Sequence, residues 1–391
     1  RQMCIRDRCI THCPVGALSE RDDTEKVWEA IENKDKIVVA QVAPAVRAAW
    51  GEELGLTDED APVGKIFDAL KRMGVNYAFD TVFSADLTIM EESTEFIKRF
   101  TSGELKERPM FTSCCPGWVR FAKTQFPYMV NYLSTAKSPQ QMFGAVMKTY
   151  FAEKLGVSPD QIFTLSIMPC VAKKGEREMD LFYGEYAGHD VDAVLTTREL
   201  VKMIRSAHIR PDSLVEIPSD SPMHAGTGAG VIFGATGGVM EAALRSVYEI
   251  VTGRSLDQRL EFQAVRGFEG IREASLDLGG TIVKVAVVHG LANARKVMEL
   301  VREGKADYQF VEVMSCPGGC IGGGGNPPTT WKKLAARRDA IYQEDRNLPI
   351  RKSHENPYVQ ELYREFLGEP LSERSHELLH THYVSRRDLI R

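Results

Sequence analysis

Six short runs rich in β-branched and aromatic residues alternate with longer runs of helical periodicity, and this alternation restricts the chain to layered α/β architectures. The strand-like runs are KIVVAQVA (36–43), VNYAFDTVF (75–83), QIFTLSIM (161–168), VDAVLTT (191–197), TIVKVAVVHG (281–290) and YQFVEVM (308–314). Residues 24–33, 63–73, 85–100, 139–155, 237–251 and 292–303 read as helices. A chain of 391 residues can bury a large core, enough for two or more lobes. No internal repeat and no low-complexity linker interrupts it.

Eight cysteines fall in four groups: Cys4, Cys9 and Cys13; Cys114 and Cys115; Cys170; Cys316 and Cys320. That is too few and too uneven for a disulfide scaffold in a chain this long. Lys+Arg number 49 against 54 Asp+Glu, so there is no basic footprint for nucleic acid. The most apolar stretch, Val231 to Val251, is broken by Glu241, Arg245 and Glu249, which argues against a membrane span. With no secretory signal pattern the expected compartment is the cytoplasm. Clustered thiols in a reducing compartment read as metal ligands or catalytic groups.

Three of the groups directly follow strand endings: PMF before Cys114, SIM before Cys170 and VEVM before Cys316. Ligand sites of α/β sheets form at the carboxyl ends of strands, so three endings far apart in sequence can converge on one site. Four thiolates suit zinc or an iron-sulfur cluster. Zinc ribbons use paired C-x2-C knuckles, which the adjacent, isolated and x3 spacings here do not supply. The segment EVMSCPGGCIGGGG (312–325) surrounds two cysteines with glycine, which lets backbone approach a bulky cofactor and donate amides to its anionic atoms. GATGG (234–238) is expected either to do likewise or to form a tight helix entry.

At the amino terminus, Cys9-x-x-x-Cys13-Pro14 matches the tail of the bacterial ferredoxin run, whose two earlier cysteines are replaced here by Arg6 and Met3. The preceding RQMCIRDR has no periodicity and no initiating methionine, and is expected to be foreign to the fold, with the gene truncated and Cys4 accidental.

TSCCPGW (112–118), MPCVAKKGE (168–176) and EVMSCPGGCIGGGG (312–325) resemble, in order and separation, the three signature segments of the iron-only hydrogenases. The resemblance extends through ADLTIMEE (85–92), KSPQQMFG (137–144), TTRELVKMI (196–204), IFGATGGVMEAALR (232–245), SHEN (353–356) and HELLHTHY (376–383). It implies an α/β fold of two lobes of mixed or parallel sheet flanked by helices, with the active-site cluster between them. Residues 1–20 would be a remnant of a ferredoxin-type 4Fe-4S domain, 21–335 a large-subunit-like catalytic domain and 336–391 a small-subunit-like helical segment.

The resemblance further implies a 4Fe-4S cubane joined through one thiolate to a di-iron azadithiolate unit with carbonyl and cyanide ligands. Cys115, Cys170, Cys316 and Cys320 would ligate the cubane, Cys320 being shared with the di-iron unit. Cys114 would pass protons along a route through Glu92, Ser134 and Glu95. Lys173 would donate to a cyanide, Met168 and Met314 would pack against the di-iron unit, Pro44, Ala45, Gln140 and Gly234 would line its pocket and Phe233 would shield it. Many relatives have serine where this chain has Ala45, which alters the surroundings of one cyanide.

The implied reaction is reversible formation of H2 from protons and electrons. Implied partners are ferredoxin or NADH-linked subunits and the hydrogenase maturation proteins, with further ferredoxin-type clusters in a longer chain. Two other readings share the cysteine pattern: a hydrogen-sensing regulator, and an iron-sulfur assembly factor that keeps the cubane cysteines without the di-iron unit. Intact Cys114, Met314 and Lys173 weigh against both.

Overall fold

The computed structural model describes residues 15, 17–57, 59–184, 186, 188–256 and 261–385. The cysteines at 4, 9 and 13, and with them the ferredoxin-like remnant, lie outside these residues. The strands are β1 (Ile37–Val42), β2 (Tyr77–Asp80), β3 (Met110–Phe111), β4 (Ile162–Met168), the small hairpin β5 (Tyr183–Gly184) and β6 (Gly188–His189), β7 (Ala193–Thr196), β8 (Ile271–Asp277), β9 (Ile282–His289) and β10 (Phe310–Met314).

Two four-stranded sheets organise the molecule. The first has the order β2-β1-β4-β7 and is parallel throughout. The second has the order β3-β10-β9-β8; β10 runs parallel to β3 and β9, while β8 returns antiparallel to β9. β4, β7 and β10 are buried along their whole length and β1 along all but its first residue, as strands covered on both faces by helices must be. In the first sheet the chain leaves β1 for β2 on one side and later returns to place β4 on the other. That reversal puts a crevice at the carboxyl ends of β1 and β4.

The long helix Val82–Thr101 ties the layers together, since Leu87, Ile89 and Val82 belong to three different apolar clusters. Its start corrects the expectation of a strand over 75–83. The Asp80 carboxylate accepts the Val82 amide at 3.0 Å and Thr81 Oγ1 donates to Gln41 Oε1 at 3.0 Å, so the chain turns at Thr81 and the helix begins. The expected helix over 139–155 is continuous but contains one wide turn, Met147–Phe151, between the α-helical stretches Pro139–Val146 and Ala152–Leu155. β8 escaped the sequence pattern because IREASLD is only partly buried and mixes charged with apolar residues, its one buried side chain being Arg272.

The helix Trp331–Asn347 runs across position 335 without interruption. Beyond it, SHEN latches onto the long helix: Ser353 Oγ and Asn356 Nδ2 donate to the buried Asp86 carboxylate at 2.6 and 2.9 Å. Val359, Leu362, Leu378 and Leu379 then join Phe79, Phe83 and Phe143 in one core cluster. The carboxyl-terminal segment is therefore packed into the core. No helix among the described residues is long and apolar enough to cross a membrane.

Candidate active site

Four strand ends meet at one cavity. β1 delivers Ala43, Pro44 and Ala45; β4 delivers Met168, Pro169 and Cys170; the segment after β3 delivers Cys114 and Cys115; β10 delivers Met314, Ser315 and Cys316, followed by Gly319, Cys320 and Gly323. The remaining wall includes Thr81, Gln140, Lys173, Phe233 and Gly234. Including its mouth the cavity holds about 830 Å³ of space between atoms. None of the five described cysteines is in a disulfide.

Of the residues singled out in the sequence, Cys114, Cys115, Cys170, Cys316, Cys320, Lys173, Met168, Met314, Pro44, Ala45, Gln140, Phe233 and Gly234 line this cavity. Glu92, Ser134 and Glu95 do not; they lie behind Cys114. Glu92 and Glu95 share the long helix and both are buried. Glu92 is against Ser134 and the Ser113 backbone, and its Oε2 has no partner among the described residues. Ser134 Oγ donates to Glu95 Oε2 at 2.8 Å. Glu95 Oε1 pairs with Arg99 Nη2 at 2.6 Å.

The electrostatics follow from burial. Desolvation, then the charge of Glu95, pushes Glu92 up to about 8. Burial also raises the Cys114 thiol well above its usual value, with Glu92 and Cys115 adding to the effect. Burial raises Cys320 to about 12. Burial alone would lower Lys173, but pairing with Glu176 outweighs it and the ammonium is stabilised. Lys173 Nζ donates to Glu176 Oε2 at 2.9 Å and to the Cys114 carbonyl at 3.1 Å.

Glu176 is a residue the sequence reading missed. Its Oε2 also accepts from Ser138 Oγ and Gln140 Nε2, each at 3.0 Å, so one carboxylate orients both the cation and the amide that border the cavity. Its place at the end of MPCVAKKGE (168–176), three residues after Lys173 on a short helix, was the signal that could have found it. Gln41, buried in β1, was missed too. Its Nε2 donates to the Gln140 carbonyl at 3.0 Å and to Ser166 Oγ at 2.9 Å, fixing the cavity wall to both central strands. Ser315 Oγ lies 3.2 Å from Cys115 Sγ.

Gly319 and Gly323 line the cavity, and the glycine-rich segment also has a second job. At Gly319, with φ 92°, a Cβ would lie 2.4 Å from the Thr236 amide nitrogen; at Gly325 it would lie 2.9 Å from the Cys170 nitrogen. Gly319, Gly323 and Gly325 thus let the Cys320 loop pack directly on the backbone of the Cys170 and Thr236 loops, which is what brings thiols from separate strand ends together. In GATGG only Gly234 lines the cavity; the amides of Gly237 and Met240 are taken by the buried Glu312 carboxylate, each at 2.7 Å. The second glycine patch is a helix entry rather than a cofactor cradle.

The comparisons with known proteins agree with this geometry. Residues 36–324 match the family of iron-only hydrogenase large subunits, C-terminal domain, and residues 332–386 match the iron hydrogenase small subunit. The chain is 48% identical over 388 residues to the NADP-reducing hydrogenase subunit HndD of Solidesulfovibrio fructosivorans, covering 98% of this chain and 66% of that one. It thus spans just under two thirds of that relative's length. It superposes on an apo form of FeFe-hydrogenase HydA1 from Chlamydomonas reinhardtii with a TM-score of 0.83 at 40% identity, covering 94% of this chain and 100% of the other. A cytosolic Fe-S cluster assembly factor of Danio rerio is 30% identical, over 96% of this chain and 94% of its own. Family match, identity and fold together place the chain in the iron-only hydrogenase large-subunit family.

Proposed function

We propose that the protein catalyses reversible reduction of protons to H2, with Cys115, Cys170, Cys316 and Cys320 holding a 4Fe-4S cubane and the rest of the cavity holding a di-iron unit with carbonyl and cyanide ligands. The observation that carries this reading is the convergence of the four thiols, Cys114 and the Lys173 ammonium on one cavity. The residues fit such a group. Buried thiolates repel one another unless a cation lies between them, and iron supplies it. The wall beyond the thiols is largely apolar, but its polar groups include the Lys173 ammonium and the Gln140 side chain, whose Oε1 has no partner among the described residues. A cubane alone would need neither.

When bound, the group would supply the electrons and the metal chemistry that reduces protons. The chain's own residues do the rest. Met168, Met314 and Phe233, all buried, keep water from the cavity. Lys173, oriented by Glu176, balances anionic ligands. Cys114 carries protons between the cavity and Glu92, and Ser134 links Glu92 to Glu95; the geometry of the four supports this order. Glu92, close to half-protonated near neutral to mildly basic pH, suits a group that both accepts and releases protons.

Electrons are proposed to come from a ferredoxin or from nicotinamide-linked subunits, a reading supported by the name of the bacterial relative. The proposed compartment is the cytoplasm, consistent with five described cysteines outside any disulfide. The domain division at 20 and 335 is kept as a proposal, with the two family matches falling on either side of 325–331.

The test is hydrogen evolution from reduced methyl viologen by anaerobic protein loaded with the cubane and a synthetic di-iron azadithiolate complex, beside Cys114→Ala. Activity in the parent and loss on the order of a hundredfold or more in the variant is expected. A protein that takes up the cubane but shows neither carbonyl and cyanide infrared bands nor hydrogen would be an assembly-factor relative instead.

A further inference from the structure

The hydrogen-bonded chain continues beyond Glu95. Glu95 Oε1 accepts from Thr135 Oγ1 at 3.0 Å, and the same hydroxyl lies 2.8 Å from His380 Nδ1. On the other side of the ring, His380 Nε2 is 3.0 Å from Glu91 Oε2. Glu91 is fully buried and also accepts from the Tyr363 hydroxyl at 2.6 Å and the Leu371 amide at 2.9 Å. Thr135 and His380 are 245 residues apart and are held together by the bridge between Ala136 and His380 and by the Thr381 amide donating to the Thr135 carbonyl. None of these residues lines the cavity.

Counting hydrogens gives one charge state once Thr135 donates to Glu95. Ionised carboxylates only accept, and a threonine hydroxyl has one hydrogen to give. If Thr135 gives it to Glu95, the contact with His380 Nδ1 needs an N–H from the ring. The contact between Nε2 and ionised Glu91 needs the other. Both ring nitrogens then carry hydrogen, making His380 an imidazolium between two carboxylates.

We propose that His380 is a proton store for the relay, resting for its purpose on the hydrogenase reading: a cation held by Glu91 that gives its Nδ1 proton to Thr135 as Thr135 gives its hydroxyl proton to Glu95. The step balances without electron transfer. The Nδ1–H bond breaks as a new O–H bond forms on Thr135; the original Thr135 O–H bond breaks as an O–H bond forms on Glu95. His380 is left neutral with its hydrogen on Nε2, and Glu95 is left as the neutral acid. His376, exposed and with its ring centroid 4.6 Å from that of His380, is the neighbour toward solvent from which the store refills.

The charged and titratable groups facing His380 are Glu91 and Glu95 on the long helix, with Arg99 paired to Glu95, Tyr363 on its own turn and His376 on the helix before it; Lys98 stands toward His376. Protons supplied this way matter most when bulk protons are scarce, so the store should sustain turnover above neutral pH.

Two measurements test this. In the full chain carrying 15N-histidine and no cofactor, both ring nitrogens of His380 should be protonated at neutral pH, and Glu91→Gln should leave only one protonated. A neutral ring in the parent overturns the proposal whether or not the protein is a hydrogenase. In loaded protein, Thr135→Val should slow hydrogen evolution on the order of tenfold above neutral pH and move the fall of the pH profile to lower pH, with infrared bands unchanged and Thr135→Ser restoring both. An unchanged rate and profile in Thr135→Val, or in His380→Gln should the valine variant not fold, overturns it as well. A loaded parent that makes no hydrogen refutes the hydrogenase reading, and the nitrogen spectra then decide on His380 alone.

Discussion

A carboxyl group pushed up to about 8, as Glu92 is by burial and by Glu95, stays mostly neutral at pH 7 and can release a proton without first gaining one. The same shift has a stability signature. An unfolded glutamate ionises near 4.5 and the folded one near 8, so Glu92's contribution is fully present below the first value and is lost as pH rises through the second. Glu92→Gln keeps the shape and removes the titration. Its unfolding free energy should therefore fall less than the parent's between about pH 5 and about pH 9, by on the order of a few kcal/mol, measured by denaturant titration at each pH. In loaded protein the same variant should slow hydrogen evolution on the order of a hundredfold. Lys173 needs Glu176 to remain a well-placed cation in an apolar wall, so Glu176→Gln should lower retention of the di-iron unit, read as loss of cyanide bands, while iron in the cubane is unchanged. The cysteines and Lys173 were legible because each sits in a contiguous motif. Glu176, Glu91 and His380 also lie in motif segments (168–176, 85–92 and 376–383), but no linear motif pairs Glu176 with Gln140 or Glu91 with His380, and Thr135 lies between motifs; only the fold brings them together.

At the level of elements, the loops that carry the thiols depend on backbone packed against backbone. Gly319→Ala would put a methyl group 2.4 Å from the Thr236 nitrogen in a left-handed conformation that alanine disfavours. The loop bearing Cys320 must then shift, and the variant should bind substoichiometric iron, measured by iron and sulfide analysis, with a stability loss of about 2 kcal/mol or more. A wild-type iron content would show that the loop tolerates the methyl. Strands buried on both faces, such as β1 and β4, were readable from composition because apolar and β-branched side chains dominate there, the buried polar pair Gln41 and Ser166 bonding to each other. The start of the long helix was not, because Val82 and Phe83 are apolar in either conformation and the deciding interaction is the Asp80 carboxylate accepting the Val82 amide. β8 stayed hidden for the opposite reason: at the sheet edge it exposes charged side chains that carry no strand pattern.

Across the whole molecule, the carboxyl-terminal segment is bound to the catalytic body by a fully buried ionic cluster. Arg245 donates to Asp345 Oδ1 and Oδ2 at 2.8 and 2.9 Å and to Glu241 at 2.6 Å, and none of the three side chains is exposed. Arg351 joins Asp345 at 2.7 Å. Breaking such a cluster from one side strands a buried charge, so Asp345→Asn should destabilise the protein by about 3 kcal/mol or more, with a change in added salt recovering little of it. Because that cluster fastens the segment to the helix Gly238–Thr252 while SHEN and the His380 contacts fasten it to the long helix, its partial release should also disturb the proton route before the cavity itself.

The central claim is that this cavity, once loaded, splits and forms H2 with the chain's own residues moving the protons. Isotope exchange between deuterium gas and water tests it most directly, because it needs no electron donor and is indifferent to what precedes the chain. Protein loaded with the cubane and the di-iron complex, and showing carbonyl and cyanide bands, should release HD, and Cys114→Ala should release almost none. Full iron loading and intact infrared bands without HD would contradict the account.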